Sequence, residues 1–320
     1  MARRLHPQPA VPDNLMLGPT GTSRRRSLAL SLFVALRPAQ WTKNLFVLLA
    51  LPFAVRLFDP SSVLRSIEAF VVFCALSGVV YLVNDIADRE GDRRHPVKRT
   101  RPIASGDLPV PAAMAAAVAI GLGSVATAFA LGRGFGLIAS SYLALLTLYS
   151  AALKHIVIID VLTIAIGFVL RVVAGAVVLD VEISHWLFVC TILLALFIAL
   201  AKRRHELVLL ADGAISHRPI LSEYSAYLLD QMIAVVTAST LIAYIFYTIS
   251  PETEQKFGTS WLGLTIPFPL YGIFRYLYLV HQREGGGSPA DLLLNDRPLL
   301  ACATLWVVAV VLIIYQPFMP

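Results

Sequence analysis

Charge is what this chain has least of. Only 14% of its 320 residues are Asp, Glu, Lys or Arg, and 58% are hydrophobic; a soluble domain carries about 25% charged residues. That deficit excludes a soluble protein with an ordinary polar surface. Length alone would suggest roughly two soluble domains, but the apolar segments imply one helical membrane bundle. Cysteine is scarce as well. Cys74, Cys190 and Cys302 all lie inside apolar runs and no CxxC exists, which excludes a disulfide framework or a cysteine metal site and leaves three small buried hydrophobes. The seven His form no HxxxH or HExxH, and GxxxxGK[ST] is absent, so a P-loop nucleotide site is not expected. Gly285–Gly287 reads as a flexible loop, not a phosphate cradle. No apolar core with a cleavage site occurs in 1–27, so no signal peptide is expected and the first span should remain in the mature protein. Residues 1–27 read as a mobile basic tail. Its Arg24, Arg25 and Arg26 either touch anionic lipid or act only as a topology signal. Residues 28–320 read as a single transmembrane catalytic domain.

What is present is a series of apolar runs. A helix needs about 20 mostly apolar residues to cross the hydrocarbon core. The runs place spans near 44–58, 63–83, 110–131, 135–153, 156–179, 185–201, 226–248, 261–280 and 299–316, with 28–36 packing beneath the short first one. Nine spans put the termini on opposite sides. With the N-terminus in the cytoplasm, only Arg56, Arg65, Arg133 and Lys256 of the 26 Lys and Arg fall in outside loops, and Arg171 and Arg275 fall within spans. The positive-inside rule therefore predicts a cytoplasmic N-terminus. It also accounts for the net charge of +6 without nucleic acid. The inside loops after spans two, six and eight are the polar ones, so chemistry is expected at the cytoplasmic face.

The strongest chemical signal closes span two: Asn84-Asp85-Ile-Ala-Asp88-Arg-Glu-Gly-Asp92. On a helix the i, i+4, i+8 set of Asn84, Asp88 and Asp92 and the i, i+3, i+7 set of Asp85, Asp88 and Asp92 fall on nearly one face. Carboxylates at the negative end of a helix dipole repel it and one another. Mg²⁺ is the hard, oxygen-seeking ion that suits such a cluster, typically with substrate phosphates completing its shell. The bland alternative is a solvated acidic helix end. A basic stretch follows, with Lys98 and Arg101 available for phosphate oxygens and Pro102 and Gly106 shaping the loop. Arg89, Arg93, Arg94 and Arg99 need be no more than topology signals.

Charges near or inside the bilayer are costly and mark functional candidates. Lys43 opens span one, Lys154 and His155 close span four, and Asp160 and Arg171 lie in span five. Eleven residues separate the last two, roughly 16 Å along a helix. They cannot pair, so each needs a partner on another helix. Asp160 would either help the site or hold Lys154, and Arg171 is either functional or structural. Span six ends in a second, mainly basic patch, Lys202-Arg203-Arg204-His205-Glu206, in which Lys202 and Glu206 are one helix turn apart. The loop 288–298, with Asp291, Asn295 and Asp296, either closes over the site or is a capped turn into span nine.

These residues resemble the UbiA prenyltransferase superfamily, whose members share nine helices and an NDxxDxxxD motif after the second. Asn84, Asp85, Asp88 and Asp92 match it, and the resemblance covers about 28–316. Within the superfamily the chain looks most like the decaprenyl-phosphate phosphoribosyltransferase branch. That likeness is carried by RPxQWxKN at 37–44, YLVNDxxDxxxDxxHPxKRxRPIASG at 81–106, YSxxLKH at 149–155, RxxAG at 171–175 and KRxxE at 202–206. The second aspartate motif of aromatic prenyltransferases, DxxxD after helix six, is absent; KRRHE and a lone Asp212 stand there.

The resemblance implies Mg²⁺-dependent transfer of 5-phosphoribose from 5-phosphoribosyl 1-diphosphate to a polyprenyl (decaprenyl) phosphate, releasing diphosphate, for cell-envelope arabinan precursors. Asn84, Asp85, Asp88 and Asp92 would hold the metal, and Lys98 and Arg101 would share the diphosphate charge. Lys43 and Tyr81 would contact the sugar donor. Lys154, Arg171, Lys202, Arg203 and Glu206 join the substrate-binding set, with the 5-phosphate and the lipid phosphate not apportioned among the basic groups. The expected setting is the plasma membrane, with the site facing the cytoplasm; a homo-oligomer is compatible with the sequence. One rival keeps the fold and moves a polyprenyl group from its diphosphate to an aromatic acceptor. Another is a membrane transporter, which would show paired polar groups at mid-membrane or an inverted repeat, and neither is legible. A non-catalytic lipid-binding protein would not need the acid motif with its basic loop.

Overall fold

The computed structural model describes residues 27–209, 219–282, 292 and 295–316. The basic tail 1–26, Asp212, Gly285–Gly287 and Asp291 lie outside the described residues. Among the described residues there is helix and no strand. The long helices are α1 (Leu28–Ala35), α2 (Pro60–Ala87), α3 (Val110–Leu131), α4 (Arg133–Ala151), α5 (Ile159–Val178), α6 (His185–Leu209), α7 (Ala226–Ile249), α8 (Pro267–Gln282) and α9 (Arg297–Tyr315). Seven of them, α2 to α7 and α9, are long and apolar enough to cross a membrane.

The helix starts follow local chemistry. Before α2, the Asp59 carboxylate accepts from the Ser61 and Ser62 amides and Pro60 opens the first turn, satisfying donors that helix geometry leaves orphaned. Hydrogen bonds from Ser62 and Ser61 hold the Asp59 carboxyl down at about 2, from an ordinary 3.8. A depressed folded-state value means the cap contributes above the ordinary value and is lost as pH falls from 3.8 towards 2. Asp59→Asn keeps a capping oxygen without the titration. Its melting temperature is expected to fall less than wild type's across that window, as a pH series of thermal melts in detergent would show.

Two expected spans take a different form. Span one, anticipated as a helix over 44–58, is a 3₁₀ helix Pro38–Leu49 followed by one α turn, Ala50–Phe53, and residues 54–58 are non-helical. At about 2.0 Å per 3₁₀ residue and 1.5 Å per α residue, that segment still reaches roughly 30 Å, the thickness of the hydrocarbon core. The eighth span divides into a 3₁₀ turn, Trp261–Thr265, and α8 of 16 residues, with Pro267 opening the α-helix. The other expected spans match within a few residues, except that α6 continues to Leu209 and carries the basic patch on its last turns.

The core lies where the 38–53 segment, α2, α4 and α5 meet, around Val47, Phe73, Phe135 and Tyr142. Phe73 packs its ring 5.1 Å from Tyr142 and 5.9 Å from Phe135. Gly175 on α5 makes the closest approach: a Cβ there would stand 1.9 Å from the Val47 carbonyl oxygen. Further clusters join α5, α6 and α7 around Leu200, Tyr224 and Leu229, and α7 to α9 around Tyr247, Phe257 and Ile314. The outward faces stay apolar, with Val118, Leu122, Val235 and Leu305 exposed. Such faces suit lipid, where the helices satisfy their own backbone groups. Arg275 on α8 forks onto Asp296, the N-cap of α9, at 2.8 and 3.1 Å, and that pair holds the Asp296 carboxyl below the usual carboxylate range.

Candidate active site

The acidic motif sits at one end of α2, but not on a single helix. α2 stops at Ala87, Asp88 is its C-cap with φ −90° and ψ 5°, and a short helix Arg89–Arg94 carries Asp92. The face expected from i, i+3, i+7 spacing is therefore divided. Asp85 and Asp92 are buried and share one nitrogen of Arg101, whose Nη1 lies 3.1 Å from Asp85 Oδ1 and 2.6 Å from Asp92 Oδ2. Asp88 is more open and receives Lys154 Nζ at 2.8 Å. Asn84 is half-buried beside them.

The basic loop closes back onto this acid end. Lys98–Thr100 forms a 3₁₀ turn, Pro102–Ser105 a single α turn, and Gly106 ends it with φ 88°, a left-handed conformation that favours glycine. Arg93 Nε donates to the Ala104 carbonyl at 3.2 Å, and the His95 ring nitrogen accepts from the Val97 and Lys98 amides. Arg101 is thereby aimed inward, while the half-buried Lys98 stands at the turn.

Arg37 completes the cluster; it opens the RPxQWxKN stretch but is not among the expected site residues. Its guanidinium pairs with Asp85 and lies 4.7 Å above the Tyr81 ring, one helix turn before Asp85. The structure thus brings Tyr81, Asp85, Asp88, Asp92, Arg101 and Lys154 together, with Arg37 added. Lys43 lies half-buried on the 3₁₀ segment that Arg37 precedes.

The remaining expected residues occupy three other places. Arg203 is buried against Asp160, 2.5 Å away, and 2.6 Å from Glu206. Of the two roles open to it, Asp160 does not hold Lys154; it holds Arg203, because its partner comes from the neighbouring helix α6. Tyr224 joins the group, donating to Asp160 at 2.8 Å and accepting from the Ile158 amide at 2.7 Å. Burial pushes the Tyr224 phenol up to about 12, so it remains a donor at neutral pH. This network braces the turn before α5, where Ile158 has φ 69°, a costly conformation for a β-branched residue. Lys202 is exposed, 3.8 Å from Glu206. Arg171 is in the interior. Its Nε donates to Asn44 at 2.8 Å, Nη1 to the Gly167 carbonyl at 2.8 Å and Nη2 to Tyr142 at 2.6 Å.

No three His, Cys, Asp or Glu converge as metal ligands among the described residues; the carboxylates are compensated by Arg37, Arg101 and Lys154. The donor chemistry nevertheless fits a hard divalent ion. The acids are oxygen donors, and two of them already share a single positive centre. The arrangement presents clustered acids and their paired cations at one end of a helical bundle, groups able to meet a metal and an anion respectively.

Comparison with known proteins gives a consistent picture. The model of the UbiA prenyltransferase family matches residues 44–295. A decaprenyl-phosphate phosphoribosyltransferase of Corynebacterium glutamicum is 33% identical over 312 residues, covering 96% of this chain and 92% of the relative. One of Mycobacterium tuberculosis is 35% identical over 285 residues, covering 86% and 91%. Among solved structures, a UbiA homolog from Archaeoglobus fulgidus bound to GPP and Mg²⁺ superposes with a TM-score of 0.67 at 19% identity, covering 90% of this chain and 98% of that one.

Proposed function

Since the chain belongs to the UbiA prenyltransferase family, we propose that this multi-pass membrane enzyme transfers 5-phosphoribose from 5-phosphoribosyl 1-diphosphate to a polyprenyl phosphate. The observation that carries the reading is the acid end of α2 with three cations folded onto it, in a chain whose relatives of that name align over nearly their whole lengths. The bond from ribose C1 to the diphosphate oxygen breaks, and a bond from C1 to a lipid phosphate oxygen forms. The lipid phosphate is already anionic at neutral pH, so attack needs no general base. The enzyme's work is orientation and stabilisation of the departing charge.

Asn84, Asp85, Asp88 and Asp92 would hold Mg²⁺, which supplies Lewis-acid neutralisation of the diphosphate when bound. Arg101 and Lys98 hold phosphate oxygens from the loop side, and Tyr81 and Lys43 border the sugar. Lys154 is the better candidate for a phosphate than Arg203: it borders the acids, whereas Arg203 is enclosed with Asp160 and Glu206. Lys202 remains open to solvent and to an anionic headgroup. The distribution of Lys and Arg supports a cytoplasmic N-terminus and active site, with the plasma membrane as the setting and a cell-envelope arabinan precursor as the use of the product.

The test is transfer of label from phosphoribosyl diphosphate into the lipid fraction by purified protein in detergent, with Mg²⁺ and a polyprenyl phosphate. Transfer abolished by chelator is the expected result. No transfer, with turnover instead of a polyprenyl diphosphate and an aromatic acid, would replace the substrates while keeping the fold.

A further inference from the structure

Arg37 is placed with unusual care for a residue between two helices. It follows α1 and caps the 3₁₀ segment with φ 53°, a left-handed conformation that non-glycine residues rarely adopt. Its amide donates to the Val34 carbonyl at 3.1 Å and its carbonyl accepts from the Gln40 amide at 2.9 Å. That backbone sends the guanidinium across to α2, where it meets the Asp85 carboxylate and the Tyr81 face together. Its side chain is 25% exposed while that of Asp85 is 2% exposed, so a partly open residue covers a buried carboxylate.

The charges around it balance. Asp85 and Asp92 are matched by Arg37 and Arg101, leaving the buried group neutral. A divalent cation taken up by these acids would leave two positive charges in excess, and an anion must then arrive or a guanidinium must turn away. Arg101 is bonded to two carboxylates and Arg37 to one. Tyr81 also offers the Arg37 guanidinium a face that holds it without Asp85. Of the two guanidinium groups on Asp85, Arg37 therefore has the fewer acid partners to leave.

We propose that Arg37 is a displaceable counter-ion of the acid cluster: it covers Asp85 while no divalent ion is bound, and it passes to the phosphate oxygens of the diphosphate donor when one is. The inference rests on the proposed donor site. It adds a binding residue, for a diphosphate carried with a divalent cation, and a reason the acids stay buried without metal.

The experiment uses full-length protein in detergent, as wild type, Arg37→Gln and Arg37→Lys. Melting temperatures are taken in chelator and in Mg²⁺, and binding of inorganic diphosphate is titrated calorimetrically in Mg²⁺. Arg37→Gln is expected to melt several degrees below wild type in chelator, to recover most of that loss in Mg²⁺, and to bind diphosphate about tenfold more weakly. Arg37→Lys, which keeps the charge but not the planar fork, should fall between. An unchanged diphosphate affinity in Arg37→Gln, or a melting loss that Mg²⁺ does not reduce, overturns the inference. Wild type that binds no diphosphate in Mg²⁺ overturns the donor reading itself, so the two failures are told apart by which protein shows them.

Discussion

Asp88→Asn is expected to lower transfer at least about 100-fold, the order of loss when one charge-stabilising group is removed from a reacting centre, while the melting temperature stays within a few degrees of wild type. Among the three aspartates of the motif, Asp88 separates chemistry from folding best. Its side chain is 40% exposed, its charge partner is Lys154, and partly exposed ion pairs contribute only about 0–1 kcal/mol. Asparagine keeps the shape of the residue at the end of α2 and can still accept from Lys154. Asp85 is a poorer probe: it is buried under two guanidinium groups, its neutralisation would remove a carboxylate partner from both, and lost activity would be hard to separate from lost structure. Labelled transfer and thermal unfolding, measured on the same preparation of Asp88→Asn, decide the matter. Transfer near the wild-type rate in that variant would remove Asp88 from the metal and diphosphate site.

The spans and the acid motif are legible in the sequence because their signals are local. Apolar runs of helix length predict α2 to α5, α7 and α9 within a few residues and α6 without its last turns, and the acid motif is placed at the end of α2, although the spacing of Asp85, Asp88 and Asp92 does not reveal that Asp92 sits on a separate short helix. The form of 38–53 is not legible, since an apolar run reads the same wound as 3₁₀ or as α. The left-handed backbone of Arg37 leads into the 3₁₀ winding. Arg37 opens the RPxQWxKN stretch, yet nothing local names its partner: Asp85 is 48 residues away, and the nearby Lys43 is the more conspicuous charge. Asp160 and Arg203 show the same limit. Each is recognisable as costly in lipid, yet only the packing of α5 on α6 reveals that they compensate each other. The motif RxxAG gains its physical reasons on folding. Arg171 finds its acceptor on Asn44, 127 positions earlier, and Gly175 lets the Val47 carbonyl approach where any side chain would collide.

Arg171→Met is expected to destabilise the protein by about 2–4 kcal/mol, and activity should fall with it. Two effects oppose each other. Removing the guanidinium relieves the cost of a buried charge, which can be several kcal/mol. It also leaves the Asn44 side-chain oxygen and the Tyr142 hydroxyl without their donor and takes a donor from the Gly167 carbonyl, at about 1–3 kcal/mol for each group left unsatisfied. The losses should win because the charge is already well accommodated. Three nitrogens of the guanidinium donate within the protein, and the rings of Tyr142 and Phe168 lie 4.7 and 5.2 Å from it. Asn44 also donates to Ser77 at 3.1 Å, so Arg171 ties the 38–49 segment to α2, α4 and α5 through one side chain. That segment carries Lys43 and follows Arg37, and loosening it should reach the acid end of α2. Arg171→Lys is expected to restore little, since an ammonium cannot reproduce the planar fork. A thermal melt of Arg171→Met within one or two degrees of wild type would mean that the relieved charge cancels the lost bonds, and would end the anchoring account of this residue.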